Sequence, residues 1–262
     1  MPLTFAHPAA VLPLMRGPLL PAALVAGALA PDLPYFLRGL QVPVTAQSWW
    51  EPFVNATTTH GWPGAATIGL PTALLLFLVI NVCARPARWM VAPTSPTSPI
   101  SRTPSRGAAW WGWLVLSLIL GVVTHVVWDS FTHSDGWVVQ NVGFLNEDAA
   151  GSLTWARLVQ HLSTALGLAA VAVHVWRRRE RWVPATGEGR RLPLRVVIVG
   201  LLAAGVGAVA VVVARGGLAS GAEHVLSSAA VGAGLGAAVV AVALSLLWWI
   251  VRPDEDRRRT SS

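Results

Sequence analysis

The chain has 262 residues, 54% of them hydrophobic and only 12% charged, and its apolar residues occur in runs long enough to cross a membrane. The formal net charge is +7 and all 19 basic residues are arginine, but they cluster beside apolar runs without an RNA- or DNA-binding module, so we expect no nucleic-acid partner. The single cysteine, Cys83, excludes an intramolecular disulfide and a cysteine-rich zinc site, so any metal must be held by histidine and carboxylate.

The first apolar segment, residues 9–30, is interrupted near its middle by residues that break helices. These residues are Pro13, Gly17, Pro18 and Pro21. The segment therefore either crosses the membrane once or forms a re-entrant hairpin of two short helices, at about residues 7–15 and 19–29. We favour the hairpin, because only this arrangement brings His7 back to the level of Asp32. The segment lacks a basic n-region and a cleavage site, so we do not interpret it as a signal peptide.

Residues 31–62 are polar and rich in proline and tryptophan, a composition that predicts a loop whose tryptophans lie at the membrane surface. Long apolar runs follow, each of a length that spans a bilayer as a helix. The predicted spans are residues 66–83, 110–128, 158–176, 195–213 and 227–251. With the first segment, these runs predict an all-α, polytopic helical membrane protein with five to six spans.

Arginine is concentrated on one side of this predicted topology. Residues 85–108 are basic and predicted to be disordered, and the segment that follows residue 176 is also rich in arginine. Residues 129–156 carry four acids and no arginine. The positive-inside rule therefore places the arginine-rich loops and the C-terminus in the cytoplasm, as in a multi-pass protein of the plasma (inner) membrane. We expect two domains, residues 1–182 with the metal site and residues 183–262 with two spans rich in Gly, Ala and Val.

Three metal-binding side chains follow one another at intervals of four residues in the segment 121–136, namely His125, Asp129 and His133. If the helix of this span continues through the segment, the spacing places all three on one face. Charged and imidazole groups at the end of an apolar run are costly unless they pair, face water or bind an ion. The spacing therefore indicates a row of metal ligands, and the alternative is a set of helix-end residues that form only local hydrogen bonds.

The predicted topology brings further ligand types to the same outer membrane face. Asp32 and His60 bound the first outer loop, His161 lies at the outer start of the next span, and the hairpin would add His7. Taken singly, each of these residues is a common structural feature, but their shared level favours a metal site. Histidine with carboxylate and without thiolate suits a divalent metal, zinc first, with manganese or iron as alternatives.

Asp129 is central among these groups, so we expect it to bridge two or more ions, and we expect Asp129 and His125 to be the catalytic residues. Paired divalent ions stabilise both the attacking and the leaving oxygen of a phosphoester, which makes hydrolysis the natural chemistry. His174, at the inner end of its span, and His224, in a short loop, are expected to play no part in the site.

Four sequence motifs lie within residues 1–176. They are MPLTFAHPAAVLPL at residues 1–14, GALAPDLPYF at 27–36, THVVWDSFTHSDG at 124–136 and LVQHLST at 158–164. They resemble the membrane-protein family of the domain of unknown function numbered 4184. That family is distantly similar to inner-membrane metal-dependent hydrolases and to the superfamily of zinc-dependent phospholipases C and single-strand nucleases.

The resemblance to the phospholipase and nuclease superfamily implies an all-helical zinc site. Its ligand order matches, in this chain, His7, Asp32, His60, His125, Asp129, His133 and His161. The superfamily ends its set with a glutamate one turn after the last histidine, where this chain has Ala165. We therefore expect one or two zinc ions rather than three.

The sequence thus predicts a membrane-embedded, metal-dependent hydrolase that acts on phosphate esters or lipid-linked substrates among the membrane lipids. Two alternatives stay open. A metal or proton transporter would use the same His/Asp cluster but would require ionisable residues at mid-span in several helices, and the apolar runs of the last two spans contain none. A non-catalytic membrane scaffold would use the bound metal only to hold its helices together.

Overall fold

The structure is a computed structural model, and it describes residues 4–39, 48–91, 107–151, 153–178 and 194–251. Within these ranges, the regular structure is helical apart from a short hairpin of two antiparallel strands, β1 (Asp148–Ala150) and β2 (Leu153–Thr154). Five of the described helices are long and apolar enough to cross a membrane, which confirms the predicted all-α, multi-pass membrane protein. Most of the segment predicted to be disordered, and the arginine-rich C-terminal tail, lie outside the described residues.

The first part of the chain forms short helices, because prolines and glycines interrupt it. These helices are α1 (Pro8–Val11), α2 (Pro21–Leu29), α3 (Leu33–Gly39), α4 (Glu51–Val54), α5 (Ala56–His60) and α6 (Trp62–Gly64). Longer helices follow, with one short exception. They are α7 (Leu70–Val91), α8 (Ala108–Ser130), the short α9 (Trp137–Asn141), α10 (Trp155–Arg178), α11 (Leu194–Ala214) and α12 (Ala222–Val251). A π-helical turn, Ala65–Gly69, joins α6 to α7, so that one apolar span runs over Trp62–Ala87.

The chain divides into two compact units. The first comprises Met1–Leu78 and Ser101–Arg178, and the second comprises Val79–Ile100 and Arg179–Ser262. Helix α7 therefore begins in the first unit and ends in the second. The boundary at residue 182 that the sequence suggested between two domains stays a prediction.

The first apolar segment reverses direction within the first unit. After α1, a 3-10 turn at Leu12–Leu14 ends the helical path, because its proline has no N–H to continue the α-helical hydrogen bonds. Gly17 then adopts a left-handed conformation, with φ of 60°, and α2 leads the chain back. Val11 from one arm packs against Leu24 and Ala28 from the other.

Helix α2 packs closely against α8 where two glycines face each other. A Cβ atom added to Gly27 would lie 2.5 Å from the carbonyl oxygen of Leu118, and one added to Gly121 would collide with the carbonyl of Leu24. Only glycine permits this approach of the two backbones. The contact holds α2 against the helix that carries His125, and it thereby positions the site.

In the second unit, α11 and α12 pack against each other through small residues, as their Gly, Ala and Val content predicted. Gly207 and Gly232 lie in this seam, where a Cβ atom added to Gly232 would collide with the backbone of Gly207. From α7, the guanidinium of Arg85 lies 5.4 Å from the centre of the Trp249 ring on α12. This cation–π contact links α12 to the second part of α7.

Candidate metal centre

Helix α8 carries His125 and Asp129 one turn apart, but it ends at Ser130 and does not reach His133. The chain turns there, and the backbone N–H of His133 donates to the carbonyl of Asp129 at 3.0 Å. Gly136 closes the turn, since a Cβ atom at this position would lie 2.6 Å from the carbonyl oxygen of Ser130. A helix end and a turn therefore replace the row expected on one continuous helix, and they still place His133 Nδ1 3.6 Å from Asp129 Oδ1.

Asp32 and His60 come from two short elements that contact each other. Asp32 ends the 3-10 turn that follows α2, and His60 is the last residue of α5. The hydroxyl of Thr59 donates to the carbonyl of Pro31 at 2.7 Å and so ties the two elements together. This buried hydrogen bond holds both ligand-type side chains in place.

Asp32, His60, His125 and Asp129 bring one ligand atom each within 4.8 Å of one another. We call Asp32 Oδ1, His60 Nε2, His125 Nε2 and Asp129 Oδ2 the inner group. His60 Nε2 lies 3.0 Å from the Asp129 oxygen, 3.3 Å from His125 Nε2 and 3.5 Å from the Asp32 oxygen. His125 Nε2 lies 3.2 Å and 3.5 Å from the same two oxygens. Ligands held at about 2.0–2.2 Å around a tetrahedral zinc are about 3.3–3.6 Å apart, so the inner group fits a shared ion.

Each histidine of the inner group is oriented by a hydrogen bond to a different backbone carbonyl. His125 Nδ1 donates to Ala28 O at 2.7 Å, and His60 Nδ1 donates to Ala56 O at 2.8 Å. A carbonyl oxygen only accepts, so in the neutral rings the proton is on Nδ1 and Nε2 carries a lone pair. The two Nε2 atoms thus face each other and two carboxylate oxygens, an arrangement that requires a proton or a cation between them. Metal-ligating histidines are oriented in the same way.

The carboxylate oxygens of Asp32 and Asp129 that are not in the inner group lie close to His7. His7 is 1% exposed and stacks on His125 with the ring centres 3.8 Å apart. Its Nε2 lies 3.5 Å from Asp129 Oδ1 and 3.9 Å from Asp32 Oδ2. Within the part of the chain that the structure describes, none of these three buried atoms makes a hydrogen bond. We call His7 Nε2, Asp32 Oδ2 and Asp129 Oδ1 the outer group.

His161 is the predicted ligand that the structure does not bring to these groups. It is exposed on α10, whereas the preceding residue, Gln160, is buried. Among the described contacts of the inner and outer groups, none involves His161, His174 or His224. A role for His161 as a ligand stays a prediction, while the six other predicted ligands lie together.

The carboxylates of the site change the pKa values of its neighbours. Burial lowers the pKa of His60, but its hydrogen bonds to Asp129 and Asp32 outweigh burial and raise the pKa to about 9. Burial raises the pKa of Tyr35, and the nearby carboxylates of Asp32 and Asp129 add to this effect. The Tyr35 ring centre lies 6.0 Å from that of His60, so Tyr35 is a neutral phenol beside the site.

A cavity of about 600 Å³ opens onto the site at His60, Asp129 and His133. The aromatic residues that line it are Tyr35, Trp62, Phe131 and Trp137. Among the described residues that line the cavity, Asp135 is the one carboxylate besides Asp129, and none is Arg or Lys. Neither Tyr35 nor Asp135 was predicted as a site residue, although the position of Asp135 in the same motif as His133 is a signal that points to it.

A comparison with protein families shows which family the chain represents. The family model described as a domain of unknown function, DUF4184, matches residues 1–246. The chain belongs to this family. The match confirms the family inferred from the motifs and extends it beyond residue 176 into the second unit. No curated protein and no solved structure matches the chain.

Proposed function

We propose that the chain is a membrane-embedded, metal-dependent hydrolase of phosphate esters or lipid-linked substrates. The observation that carries this proposal is the inner group, in which two imidazole nitrogens lie 3.3 Å apart and each lies 3.0–3.5 Å from two carboxylate oxygens. This donor set, which contains no thiolate, suits zinc, with manganese or iron as alternatives. When bound, the ion supplies Lewis acidity and water activation at the cavity.

The buried and the accessible members of the site have different proposed roles. The side chains of His125 and Asp32 are 0% and 2% exposed, so they act as fixed ligands. His60 and His133 are 18% and 19% exposed and border the cavity, so the substrate approaches from their side. Asp129 borders the cavity as well and contacts His125, so we assign these two residues the catalytic role of holding the ion against the substrate.

The cavity favours an amphiphilic substrate over a polyanion. Trp62 begins the span Trp62–Ala87, and Phe131 and Trp137 follow the end of the span Ala108–Ser130. Aromatic side chains at span ends lie at the depth of lipid headgroups, where the phosphodiester groups of lipids are found. Because no arginine or lysine is among the described lining residues, the cavity lacks the side chains that neutralise the repeated phosphates of a nucleic acid.

The proposal includes a re-entrant N-terminal hairpin and a defined orientation. A helix of about ten residues is about 15 Å long, which is half of a bilayer core of about 30 Å, so a hairpin of two such arms enters and leaves on one side. This arrangement leaves the five apolar helices as spans and puts the N-terminus and the metal site outside. The distribution of arginine supports a cytoplasmic C-terminus in the plasma (inner) membrane.

Metal analysis followed by an activity panel tests the proposed hydrolase. The full chain is purified in a non-ionic detergent, and its bound metal is measured before and after treatment with a chelator. Hydrolysis is then assayed on a soluble aryl phosphodiester and on phospholipids in mixed micelles. We expect chelation and the variant Asp129→Asn to lower the rate by about a hundredfold or more, and added zinc to restore the chelated wild type. His174→Ala, a histidine substitution outside the site, is expected to match the wild type.

Two outcomes would contradict the hydrolase in different ways. A chain that binds no zinc and hydrolyses nothing has no metal centre of the proposed kind. A chain that binds zinc, and gains thermal stability from it, but hydrolyses nothing in the panel would instead be the non-catalytic scaffold, in which the ion only holds the helices together.

A further inference from the structure

The cavity beside the metal centre presents no basic side chain among its described lining residues. A phosphate ester is anionic, and its oxygens gain negative charge as the ester bond breaks, so its hydrolysis calls for hydrogen-bond donors or positive charges aimed at those oxygens. The nearest arginine along α3, Arg38, does not line the cavity, and its Nε donates to the carbonyl of Val54 at 3.1 Å. Beside a bound ion, this role therefore falls to a neutral donor.

The neutral side-chain donors that line the cavity differ in their surroundings. Four of them are exposed to solvent, namely Thr57, Trp62, Trp137 and Gln140. The hydroxyl of Ser130 is committed, because it donates to the carbonyl of Val127 at 2.6 Å. Tyr35 is partly buried, and its ring centre lies 6.0 Å from that of His60 in the inner group. Tyr35 is therefore the donor best placed to reach a group that is bound at the metal centre.

Tyr35 belongs to the same short segment as the ligand-type residue Asp32. Asp32 ends a 3-10 turn and α3 begins at the next residue, so Tyr35 follows Asp32 by about one helical turn. Its two neighbours are held in place, since Pro34 is fully buried and the ring of Phe36 meets that of Phe5 edge-on at 6.1 Å. A phenol has a pKa of about 10 in water, so at neutral pH it keeps an O–H that it can donate.

We infer that Tyr35 is a catalytic residue whose hydroxyl donates a hydrogen bond to a non-bridging oxygen of a phosphate ester held at the inner group. The inference rests on the proposed function and adds a residue that belongs to neither the inner nor the outer group. The hydrogen bond strengthens as charge builds up on the oxygen, which favours the transition state over the bound ester. The proton stays on Tyr35 throughout, so the residue orients and stabilises the ester without transferring a proton.

The affinity for inorganic phosphate tests this inference without any assay of hydrolysis. The zinc-loaded full chain in non-ionic detergent is titrated with phosphate in a calorimeter. Tyr35→Phe removes one oxygen and keeps the ring, and we expect it to bind phosphate about ten- to a hundredfold more weakly at unchanged zinc content. Ser130→Ala is the matched control and is expected to keep the wild-type affinity, because it removes a cavity hydroxyl whose proton is already bonded to a backbone carbonyl.

Tyr35 is the only tyrosine of the chain, so its ring can be observed directly in the wild type. Protein that contains tyrosine labelled with carbon-13 at the hydroxyl-bearing ring carbon gives a single tyrosine resonance that needs no assignment. In the zinc-loaded chain, we expect phosphate to shift this resonance over the same concentrations as in the calorimetric titration. In the stripped chain, where phosphate has no ion to bind, we expect no shift.

Equal phosphate affinities of Tyr35→Phe and the wild type overturn the inference, and so does a tyrosine resonance that phosphate does not move. Both results leave the proposed hydrolase intact. A zinc-loaded wild type that binds no phosphate also overturns the inference, and a chain that binds no zinc overturns it together with the metal centre. A chain that binds zinc and phosphate but hydrolyses nothing contradicts the hydrolase and leaves Tyr35 as a phosphate-binding residue. If Tyr35→Phe loses zinc or does not fold, the resonance of the wild type decides the outcome.

Discussion

Asp129 contacts all four histidines of the site, two through each carboxylate oxygen. Its Oδ2 lies 3.0 Å from His60 and 3.2 Å from His125, and its Oδ1 lies 3.5 Å from His7 and 3.6 Å from His133. We expect Asp129→Ala to reduce bound metal more than any other single substitution, because it removes a charge that faces every histidine. Bound metal per chain, measured by elemental analysis of the purified variants, checks this prediction.

Asp32→Ala is the strictest comparison for this prediction, since Asp32 faces three of the histidines at 3.5–3.9 Å. A larger loss of metal in Asp32→Ala than in Asp129→Ala would contradict the central position of Asp129. An equal loss in the control His174→Ala would show that the site is wrongly assigned.

His60 links metal binding to pH. Burial lowers its pKa, but the two aspartates raise it to about 9, so without a metal ion its imidazole is protonated at neutral pH. A metal-binding imidazole must be unprotonated, so binding at neutral pH releases this proton. The apparent affinity should therefore rise with pH, by about tenfold per unit for one proton, and level off above about pH 9.

Calorimetric titrations of zinc in two buffers with different enthalpies of ionisation measure the proton that His60 releases. His60→Gln cannot hold this proton, so its smaller remaining affinity should vary less with pH. A wild-type affinity that stays constant between pH 6.5 and pH 8 is incompatible with the protonated His60.

The residue types of the site were predictable from the sequence, but their orientation was only partly so. Ligand type and expected membrane level indicated six residues that lie together in the structure, whereas His161 is exposed on α10 and its role as a ligand stays a prediction. The position of a residue along a helix does not determine which face of the helix it lies on, and in α10 the buried residue at this position is Gln160. The carbonyls that orient His60 and His125, from Ala56 and Ala28, have no sequence signal, because every residue has a carbonyl.

At the scale of the helices, the close contact between α2 and α8 leaves no room for a side chain at Gly121. A Cβ atom there would collide with the carbonyl of Leu24, so we expect Gly121→Ala to separate the helices and to lower the free energy of unfolding by about 1–3 kcal/mol. The separation would also lengthen the hydrogen bond from His125 to Ala28 and weaken metal binding. Thermal unfolding and metal titration of the variant in detergent measure the two effects.

Gly112 provides the matched control on the same helix, because a Cβ atom there meets nothing within 4 Å. Gly112→Ala should preserve stability or raise it by up to about 1 kcal/mol, since alanine favours a helix over glycine. If both substitutions had the same effect, the close glycine contact would not be what positions the site.

The interruption of the first segment was predictable from its helix breakers, but the ends of its helices were not. Helix α1 ends at Val11, earlier than expected, and α2 begins only at Pro21. Helix α8 likewise stops at Ser130, where the four-residue spacing suggested that it continues. Periodicity identifies which residues share a face, whereas the end of a helix depends on tertiary contacts such as the tight turn at Gly136.

At the scale of the whole molecule, the long helices expose apolar side chains over lengths that match a bilayer. Leu166 on α10 is 70% exposed, Leu201 on α11 is 68% exposed and Ile250 on α12 is 72% exposed. Such continuous apolar faces are unfavourable in water and favourable against lipid. The sequence predicted these five helices well because each apolar run is a strong local signal, independent of how the helices pack.

The orientation of the protein in the membrane can be tested by labelling cysteines placed at two glycines, one before α8 and one after it. Gly107 precedes the helix and Gly143 lies beyond its other end, and a Cβ atom at either meets nothing within 4 Å. In a chain carrying Cys83→Ala, we expect Gly143→Cys to react with a membrane-impermeant maleimide in intact cells. Gly107→Cys should react only after the membrane is permeabilised. The opposite pattern would reverse the proposed orientation.

The N-terminal hairpin makes a separate labelling prediction at Phe5, which is 40% exposed and precedes His7. If the segment enters and leaves through the outer face, Phe5→Cys should react in intact cells, as Gly143→Cys does. A straight span would place Phe5 on the other side of the membrane, where it would react like Gly107→Cys. In that case His7 would lie about 30 Å from the site and could not contact Asp32 or Asp129.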